Sequence, residues 1–238
     1  MKYIVSDEHR FIYFVVQKVA CSSIKTALLP LFEIDATRTR STWKENTDRL
    51  RVHEAFGKSG YQVNKQQLLP RLDGEYRGYF KFAFVRNPWD RLVSCYSDKI
   101  ANGGEGLKSP ARGGIAFFPG MPFADFVEAI HATPDNEADI HLRSQYKVVC
   151  GRGKSRRTIM ADFVGRFENL EADFAAVANR IDSTQRLRLP HLLSSAGRNP
   201  RRFTELYDDR LRGLVHERYR DDIELFGYSF GGGFGASE

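Results

Sequence analysis

Near the start of the chain, a lysine and two serines stand where an apolar segment meets a helix-like segment, in "FIYFVVQKVACSSIKTALLPLF" (residues 11–32). Lys18 supplies a full positive charge, while Ser22 and Ser23 supply hydroxyl donors. A helix that begins here adds unsatisfied backbone N–H groups and about half a positive charge, so the combination suits a bound anion. Because the glycines of a Walker A loop are missing, the residues indicate an anion site that differs from an ATP-binding loop. The alternative interpretation is an exposed lysine followed by two helix-capping serines.

A second junction of the same layout follows the apolar run "YFKFAFV" (residues 79–85). Arg86 ends this run, where a P-loop kinase would more often carry an acidic residue for Mg²⁺, and a guanidinium suits an anion better than a metal. Ser94 stands seven residues beyond Asn87 on the helix that should follow, which is roughly 10 Å along its axis. Two anion sites on neighbouring strand–helix units would suit a nucleotide that is phosphorylated at both ends.

The elements that position these residues follow from apolar periodicity. The runs 11–16 and 79–85 are continuously apolar, as in strands buried within a parallel sheet. Asn87 as N-cap, Pro88 at the first helical position and Asp90 in the first turn predict a helix after the second strand. Spacing also predicts helices at residues 23–32, 122–132, 169–181 and 206–228, and a strand pair at 146–150 and 158–167. Strands that alternate with helices indicate an α/β fold around a central, mostly parallel sheet.

Length and composition bound the class of protein. The 238 residues fit one large domain or at most two small ones. Residues 33–60 show no clear period, and residues 101–122 are rich in Gly and Pro and predict a long loop. No window resembles a membrane span, and the first ten residues become charged before a signal peptide could form. The three cysteines are widely spaced, which argues against a disulfide framework or zinc site and favours a reducing cytoplasm.

The formal net charge of +6 predicts an anionic partner. The excess lies largely in the basic runs "GRGKSRR" (residues 151–157) and "GRNPRR" (residues 197–202), each of which is either a solvated surface or a binding patch. Nucleic acid is not the expected partner, because zinc-finger spacing, an RNP-like aromatic motif and basic-region heptads are absent from the sequence.

Several segments together resemble the carbohydrate sulfotransferases of sulfotransferase family 2, which include the chondroitin 4-O and heparan 2-O types. "VQKVACSSIK" (residues 16–25) is similar to the family's 5′-phosphosulfate-binding loop, and "KFAFVRNPWDRLVSCYSDKI" (residues 81–100) is similar to its 3′-phosphate-binding segment. "GRFENLEADF", "LPHLLSS" and "RYRDDIELFGYSF" resemble later blocks in the family's order. The similarity covers most of residues 9–230, whereas residues 33–77 and the Gly-rich loop are not clearly matched.

The resemblance implies a P-loop-like three-layer α/β fold, with one sulfotransferase domain over residues 1–230 and a flexible tail over residues 231–238. It also implies 3′-phosphoadenosine-5′-phosphosulfate (PAPS) as the sulfuryl donor, 3′,5′-adenosine bisphosphate (PAP) as the product, and no metal. Carried over position by position, the 5′-phosphosulfate would be held by Lys18, Val19, Ala20, Cys21, Ser22 and Ser23. The 3′-phosphate would be held by Arg86 and Ser94, with Arg198 as a further contact to the nucleotide.

The chemistry that the resemblance implies is in-line transfer to an acceptor hydroxyl. Lys18 would stabilise charge on the leaving oxygen, and a histidine would take the hydroxyl proton. His53 is the first candidate for this base, because related enzymes such as the heparan 2-O type place a catalytic histidine between the two phosphate segments. His141 is the second candidate, in a block that resembles the family's "HW-x-x-Q" region, although Leu142 replaces the Trp. The alternative for each is a surface or packing histidine.

Four neighbouring residues have weaker assignments. Glu54 is a less favoured base, and His191, beside a proline and two leucines, is expected to be structural. Arg143 and Gln145 share the His141 segment and are expected to face the acceptor.

The implied acceptor is a hydroxyl of a saccharide or sugar-bearing molecule, and the sequence predicts no oligomeric state. The family's Golgi members carry a membrane anchor, whereas this sequence begins almost at its first strand, so we expect a bacterial-type soluble enzyme in the cytoplasm. Two alternatives stay open. One is a P-loop-like kinase that uses ATP, and the other is a non-catalytic protein that binds polyanions on the same scaffold.

Overall fold

The computed structural model describes residues 1–34, 47–101, 107–108, 116–151, 158–182, 184, 186–190 and 202–232, with only the backbone for residues 47–51 and 202. The chain forms two compact units. The first contains Met1–Val16, Ala20–Phe84 and Val148–Ala196, and the second contains Gln17–Val19, Val85–Lys147 and Gly197–Glu238. Most of the Gly-rich loop and of the two basic runs, together with His191, Arg198 and the tail from 233, lies outside the described residues.

A five-stranded sheet forms the centre of the first unit, in the order β3-β1-β2-β4-β5. The strands are β1 (Lys2–Ser6), β2 (Phe11–Val15), β3 (Gln62–Asn64), β4 (Phe80–Val85) and β5 (Phe163–Arg166). Strands β2 and β4 pair in parallel, whereas β1 runs antiparallel to both β2 and β3. The sheet is therefore mixed, and the predicted α/β class with parallel pairing of the two junction strands is confirmed. Because parallel strands end at the same edge, both junctions leave the sheet on one side.

The described helices, in chain order, are α1 (Cys21–Leu28), α2 (Thr47–Lys58), α3 (Lys65–Leu68), α4 (Pro88–Tyr96), α5 (Phe123–Ala132), α6 (Tyr146–Val149), α7 (Leu170–Ile181), α8 (Asp209–Arg218) and α9 (Arg220–Phe226). A π-helical segment, Ser97–Ala101, continues α4. None of the described helices is both long and apolar enough to cross a membrane.

Aromatic packing holds the central strands of the first unit in place. Every side chain of β2 is buried, and Tyr13 stacks on Phe82 of β4 with ring centroids 5.1 Å apart. Gly165 of β5 lies so close to the Phe84 ring that a Cβ there would be 2.5 Å from it, so any other residue would force the ring to shift. In the second unit, α5 packs against α8, and buried side chains of both helices form one apolar cluster with Trp89. Burial of such side chains stabilises each unit by roughly 1.5–3 kcal/mol per residue.

The structure departs from the predicted elements in several places. Helix α2 lies within the segment that shows no clear period, and strands β1 and β3 carry no predicted signal. The predicted strand at 146–150 is wrong, because α6 occupies residues 146–149. Of the predicted pairing with the strand at 158–167, an isolated antiparallel bridge between Cys150 and Ile159 is present. The single helix predicted for 206–228 is divided into α8 and α9 at Tyr219, whose φ of −116° is not helical.

A carboxylate from a distant helix explains why residues 146–149 turn into a helix. Both side-chain oxygens of Asp222 accept hydrogen bonds of 2.8 Å, one from the backbone N–H of Gln145 and the other from that of Tyr146. This carboxylate satisfies the donors that a helix start leaves without partners, as an N-cap side chain does. A short apolar run alone does not distinguish a strand from a helix, so the Asp222 contact decides the outcome.

Candidate active site

The loop between β2 and α1 adopts a left-handed conformation without any glycine. Lys18 has a φ of 64° and Ala20 a φ of 49°, a region that costs a non-glycine residue about 1–2 kcal/mol. Ala20 is the N-cap of α1. Within the part of the chain that the structure describes, no side chain caps this helix, and its first turn holds no acidic residue. The backbone N–H groups at the start of α1 therefore keep the partial positive charge of a helix N-terminus, which attracts an anion.

Ser23, in the first turn of α1, carries a buried hydroxyl with no hydrogen-bond partner among the described residues. The residue is 3% exposed. A buried polar group without a partner costs about 1–3 kcal/mol, so the position is costly unless a ligand supplies the missing bond. The orphaned hydroxyl at the start of a helix fits an oxyanion such as the 5′-phosphosulfate. The anion site that the sequence places at these residues stays a prediction.

The ammonium of Lys18 pairs with a carboxylate that follows helix α4. Its Nζ lies 2.9 Å from Oδ2 of Asp98, which belongs to the π-helical segment after α4. The backbone carbonyl of Lys18 accepts a hydrogen bond of 3.2 Å from the Arg86 guanidinium. The first loop and the second junction are thus joined within the second unit, although the chain separates Lys18 from Arg86 by 68 residues.

Arg86 is fixed through its backbone and its side chain. Its N–H donates to Oε1 of Gln145 at 3.0 Å, and its carbonyl accepts from Nε2 of the same glutamine at 2.8 Å. The guanidinium also donates to Asp90 at 2.7 Å. Asn87 caps α4 as predicted, by accepting a hydrogen bond from the Trp89 N–H. The guanidinium is consequently positioned by several contacts at once, which would suit the predicted role of Arg86 in binding a phosphate.

The side chains of the two residues predicted to face the acceptor both bind backbone groups. Gln145 is fully buried and binds the Arg86 backbone, and the Arg143 guanidinium donates to the carbonyls of Ala138 and Asn136. Complete burial contradicts the expectation for Gln145, whereas the expectation for the half-buried Arg143 stays a prediction. The backbone groups that these two side chains bind are not revealed by any sequence pattern.

The carboxylate of Asp222 accepts a hydrogen bond from the backbone N–H of Gln145. Burial raises the pKa of this carboxyl to about 6, against the opposing attraction of the Arg91 guanidinium. At neutral pH the group is therefore mostly ionised, and it is the charged carboxylate that anchors the Gln145 segment.

Arg91 connects the first loop with the His141 segment. Its guanidinium is almost completely buried, and its Nε donates to the carbonyl of Gln17 at 3.0 Å. Its terminal nitrogen donates to the carbonyls of His141 and Arg143 at 3.0 and 2.7 Å. Sequence reasoning missed this residue, although an arginine on the same helix as Ser94 is the kind of signal that could have identified it. Ser94 lies on α4 as predicted, three residues after Arg91.

His141 forms a pair with a carboxylate. Nδ1 of His141 lies 2.6 Å from Oδ1 of Asp139. Burial opposes ionisation of Asp139, but hydrogen bonds from the His141 ring and backbone hold its pKa at about 2. An ionised carboxylate only accepts hydrogen bonds, so the neutral ring carries its proton on Nδ1 and leaves Nε2 with a free electron pair. The arrangement is that of a histidine oriented to take a proton.

His53 lies on α2 and has a different environment, made by α1. Its Nε2 is 2.9 Å from Oγ of Ser22, and its Nδ1 is 3.0 Å from Nζ of Lys25. Glu54, the weaker candidate base, pairs with Lys58 on the helix surface. The described residues contain no group of three or more His, Cys, Asp or Glu side chains that could hold a metal ion. The three cysteines are buried, and none of them takes part in a disulfide.

Comparison with known proteins identifies the family of this chain. A family model described as "Sulfotransferase family" matches residues 1–229. Carbohydrate sulfotransferase 11 of Danio rerio is 24% identical over 247 aligned residues, which cover 96% of this chain and 68% of that protein. Carbohydrate sulfotransferase 14 of Danio rerio is 28% identical over 199 residues, covering 79% of this chain and 50% of that protein.

A third relative, carbohydrate sulfotransferase 8 of Mus musculus, is 28% identical over 249 aligned residues, covering 94% of this chain and 56% of that protein. No solved structure gives a significant match to the chain. Because the family model spans nearly the whole sequence, the chain belongs to the sulfotransferase family.

Proposed function

We propose that this protein transfers the sulfuryl group of PAPS to a hydroxyl of a saccharide or sugar-containing acceptor. The observation that carries the proposal is the orphaned hydroxyl of Ser23 at the uncapped start of α1, five residues after Lys18. A hydroxyl, a helix N-terminus and a lysine in one continuous segment provide neutral and charged donors for a phosphosulfate. Membership of the sulfotransferase family supports a phosphosulfate as this anion in preference to the phosphates of ATP.

The donor would be held at both ends. The first loop and first turn of α1, residues 18–23, would hold the 5′-phosphosulfate, and Arg86 with Ser94 would hold the 3′-phosphate. The Arg86–Lys18 hydrogen bond supports this division, since it ties the arginine directly to the loop. Arg198, which lies outside the described residues, is proposed as a further contact. The donor supplies the sulfuryl group, and the residues of this chain orient it and stabilise the charge that develops.

Lys18 is the residue we assign to the leaving oxygen. Its ammonium pairs with Asp98, so it must exchange one anionic partner for another when a donor binds. In the transition state, negative charge grows on the oxygen that leaves with the nucleotide, and a lysine positioned there stabilises this charge more than the ground state. Its function is thus electrostatic and requires no proton transfer.

Of the two candidate bases, the geometry favours His141. The carboxylate of Asp139 directs the free electron pair of the neutral ring to Nε2, which can accept the proton of an acceptor hydroxyl. Arg91 binds both the carbonyl of His141 and the carbonyl of Gln17, next to Lys18. This shared guanidinium keeps the proposed base and the proposed electrostatic residue in one rigid group of contacts. His53 remains the alternative base.

The proposed class of acceptor rests on the relatives, whose names describe carbohydrate sulfotransferases.

A transfer assay tests the proposal. Purified protein is incubated with ³⁵S-labelled PAPS and a panel of soluble oligosaccharides and desulfated polysaccharides. We expect labelled saccharide from the wild type and a loss of about a thousandfold or more in Lys18→Met. The matched control Lys58→Met, a lysine with 72% of its side chain exposed, should keep wild-type turnover. Steeply salt-dependent saccharide binding without label transfer would instead identify a non-catalytic polyanion-binding protein.

A further inference from the structure

Lys25 is a buried lysine that the transfer mechanism does not use. It lies on α1, three residues after Ser22 and on the same side of the helix, and it is 0% exposed. Its ammonium donates to Nδ1 of His53 at 3.0 Å and to Oε1 of Gln62 at 3.3 Å. A buried lysine is rare unless its charge is paired, and the partners here are neutral. Such an arrangement calls for a functional reason.

The lysine dictates the direction of the hydrogen bonds around it. An ammonium has three donors and no acceptor, so Nδ1 of His53 must accept. The neutral imidazole then carries its proton on Nε2, and this N–H donates to Oγ of Ser22 at 2.9 Å. Because Nε2 carries the proton, it cannot accept a hydrogen bond from Ser22, so the O–H of Ser22 is left to donate to another group. Every hydrogen bond in the series runs outward from the ammonium.

We propose that Lys25 and His53 are positioning residues that turn the Ser22 hydroxyl into a committed hydrogen-bond donor for the anionic group bound at the start of α1. The inference rests on the proposed function, because the anion is the phosphosulfate of the donor. Each hydrogen bond in the series polarises the next, so the buried positive charge of Lys25 strengthens the final O–H donor. In this tautomer Nε2 of His53 has no free electron pair, which separates its role from that of a base.

The charged surroundings of Lys25 are compatible with this role. Burial lowers its pKa to about 8, the nearby Cys21 thiol favours the ammonium, and Lys2 on β1 opposes it. A pKa about one unit above neutral keeps roughly nine-tenths of the amine protonated at pH 7. Above pH 8 the neutral amine can accept a proton from Nδ1, and the direction of the series is lost. The donor affinity of the wild type should therefore fall as the pH rises through about 8.

The first test is a direct reading of the His53 tautomer. Nitrogen-15 NMR of histidine-labelled protein should show Nε2 protonated and Nδ1 unprotonated in the wild type. The variant Lys25→Met, which replaces the ammonium with an apolar side chain of similar length, should release this preference. Lys58→Met, on the same helix as His53, should leave the spectrum unchanged. An Nδ1–H tautomer in the wild type would overturn the proposal without any need for a variant.

Affinity and turnover provide the second test. Lys25→Met should bind PAP about tenfold more weakly, as expected for the loss of one hydrogen bond to a charged group. His53→Gln keeps an acceptor for Lys25 and an N–H for Ser22 but cannot take a proton, so it should retain transfer within about tenfold. Wild-type affinity in Lys25→Met, or loss of transfer by more than a thousandfold in His53→Gln with PAP affinity intact, would contradict the inference.

Failure of donor binding and failure of the positioning role of Lys25 give different experimental results. If wild-type protein binds neither PAP nor PAPS, the proposed function is wrong, and the NMR spectrum still decides whether Lys25 sets the His53 tautomer. If the wild type binds PAP and the Lys25 and His53 variants behave otherwise than predicted, the donor site stands and only the positioning role is lost.

Discussion

The carboxylate of Asp98 lies 2.9 Å from the ammonium of Lys18, so the lysine that we assign to the leaving oxygen has an anionic partner within its own chain. The two residues are 80 positions apart in the chain. The Asp98 side chain is 39% exposed, which limits the strength of the pair because water screens it. Under the proposed function, the bound donor and Asp98 would compete for the same ammonium.

Replacing Asp98 tests this competition. Asp98→Asn should bind PAP about two- to fivefold more tightly than the wild type, because the lysine no longer has to leave a carboxylate. Calorimetric titration at fixed ionic strength measures the difference. Asp125→Asn removes an exposed carboxylate of α5 and is the control for net charge. Weaker binding in Asp98→Asn than in the control would mean that Asp98 positions Lys18 for the donor.

Gln145 should be essential for the stability of the Arg86 segment. Gln145→Leu leaves the backbone N–H and carbonyl of Arg86 buried without these partners, and we expect a loss of about 3 kcal/mol in the free energy of unfolding. Urea denaturation measures this loss. Gln66→Leu, an exposed glutamine on α3, should change it by less than about 0.5 kcal/mol. Equal stability of the two variants would show that the Arg86 backbone finds other partners.

The Asp139–His141 pair should control the rate of transfer and not the affinity for the donor. Asp139→Asn removes the carboxylate that keeps the proton on Nδ1, so kcat should fall by about a hundredfold while the PAP dissociation constant stays within about twofold. Steady-state kinetics combined with calorimetry separates the two quantities. An unchanged kcat in both Asp139→Asn and His141→Gln would show that His141 is not the base and would favour His53 instead.

Lys25 should also affect the pH dependence of stability. Its folded pKa of about 8 lies below the model-compound value of 10.5, so between these pH values the unfolded chain binds more protons than the folded one. The free energy of unfolding of the wild type should therefore rise across this interval relative to Lys25→Met. Other groups that titrate there cancel in the difference between the two proteins. A flat difference would show that Lys25 has its ordinary pKa in the folded state.

The strand–helix junctions were predictable because each rests on a local signal. The apolar run of β4, the Asn87 cap and Pro88 are consecutive in the sequence, and the structure confirms them. The absence of glycine in the first loop was also visible, but not that Lys18 and Ala20 would adopt the left-handed conformation instead.

The contacts that complete the candidate site leave no such local signal. Among the side chains of α2 that the structure describes, those of residues 52–58, the buried ones are Val52, Ala55 and Phe56, which is too short a pattern to show a clear period within a polar segment. The partners Lys25 and His53 are 28 residues apart, and Arg86 and Gln145 are 59 apart. Hydrogen bonds between buried polar groups that are distant in the chain depend on the folded backbone, so sequence periodicity does not reveal them.

The central claim is that the two junctions bind a nucleotide phosphorylated at its 3′ and 5′ positions. Calorimetric titration of the wild type and Arg86→Met with PAP, ADP and Mg²⁺–ATP tests it most directly. We predict that PAP binds the wild type without added metal, at least about tenfold more tightly than ADP, and that Arg86→Met loses most of this preference. Equal affinity for nucleotides with and without the 3′-phosphate, or a preference for Mg²⁺–ATP, would contradict the account.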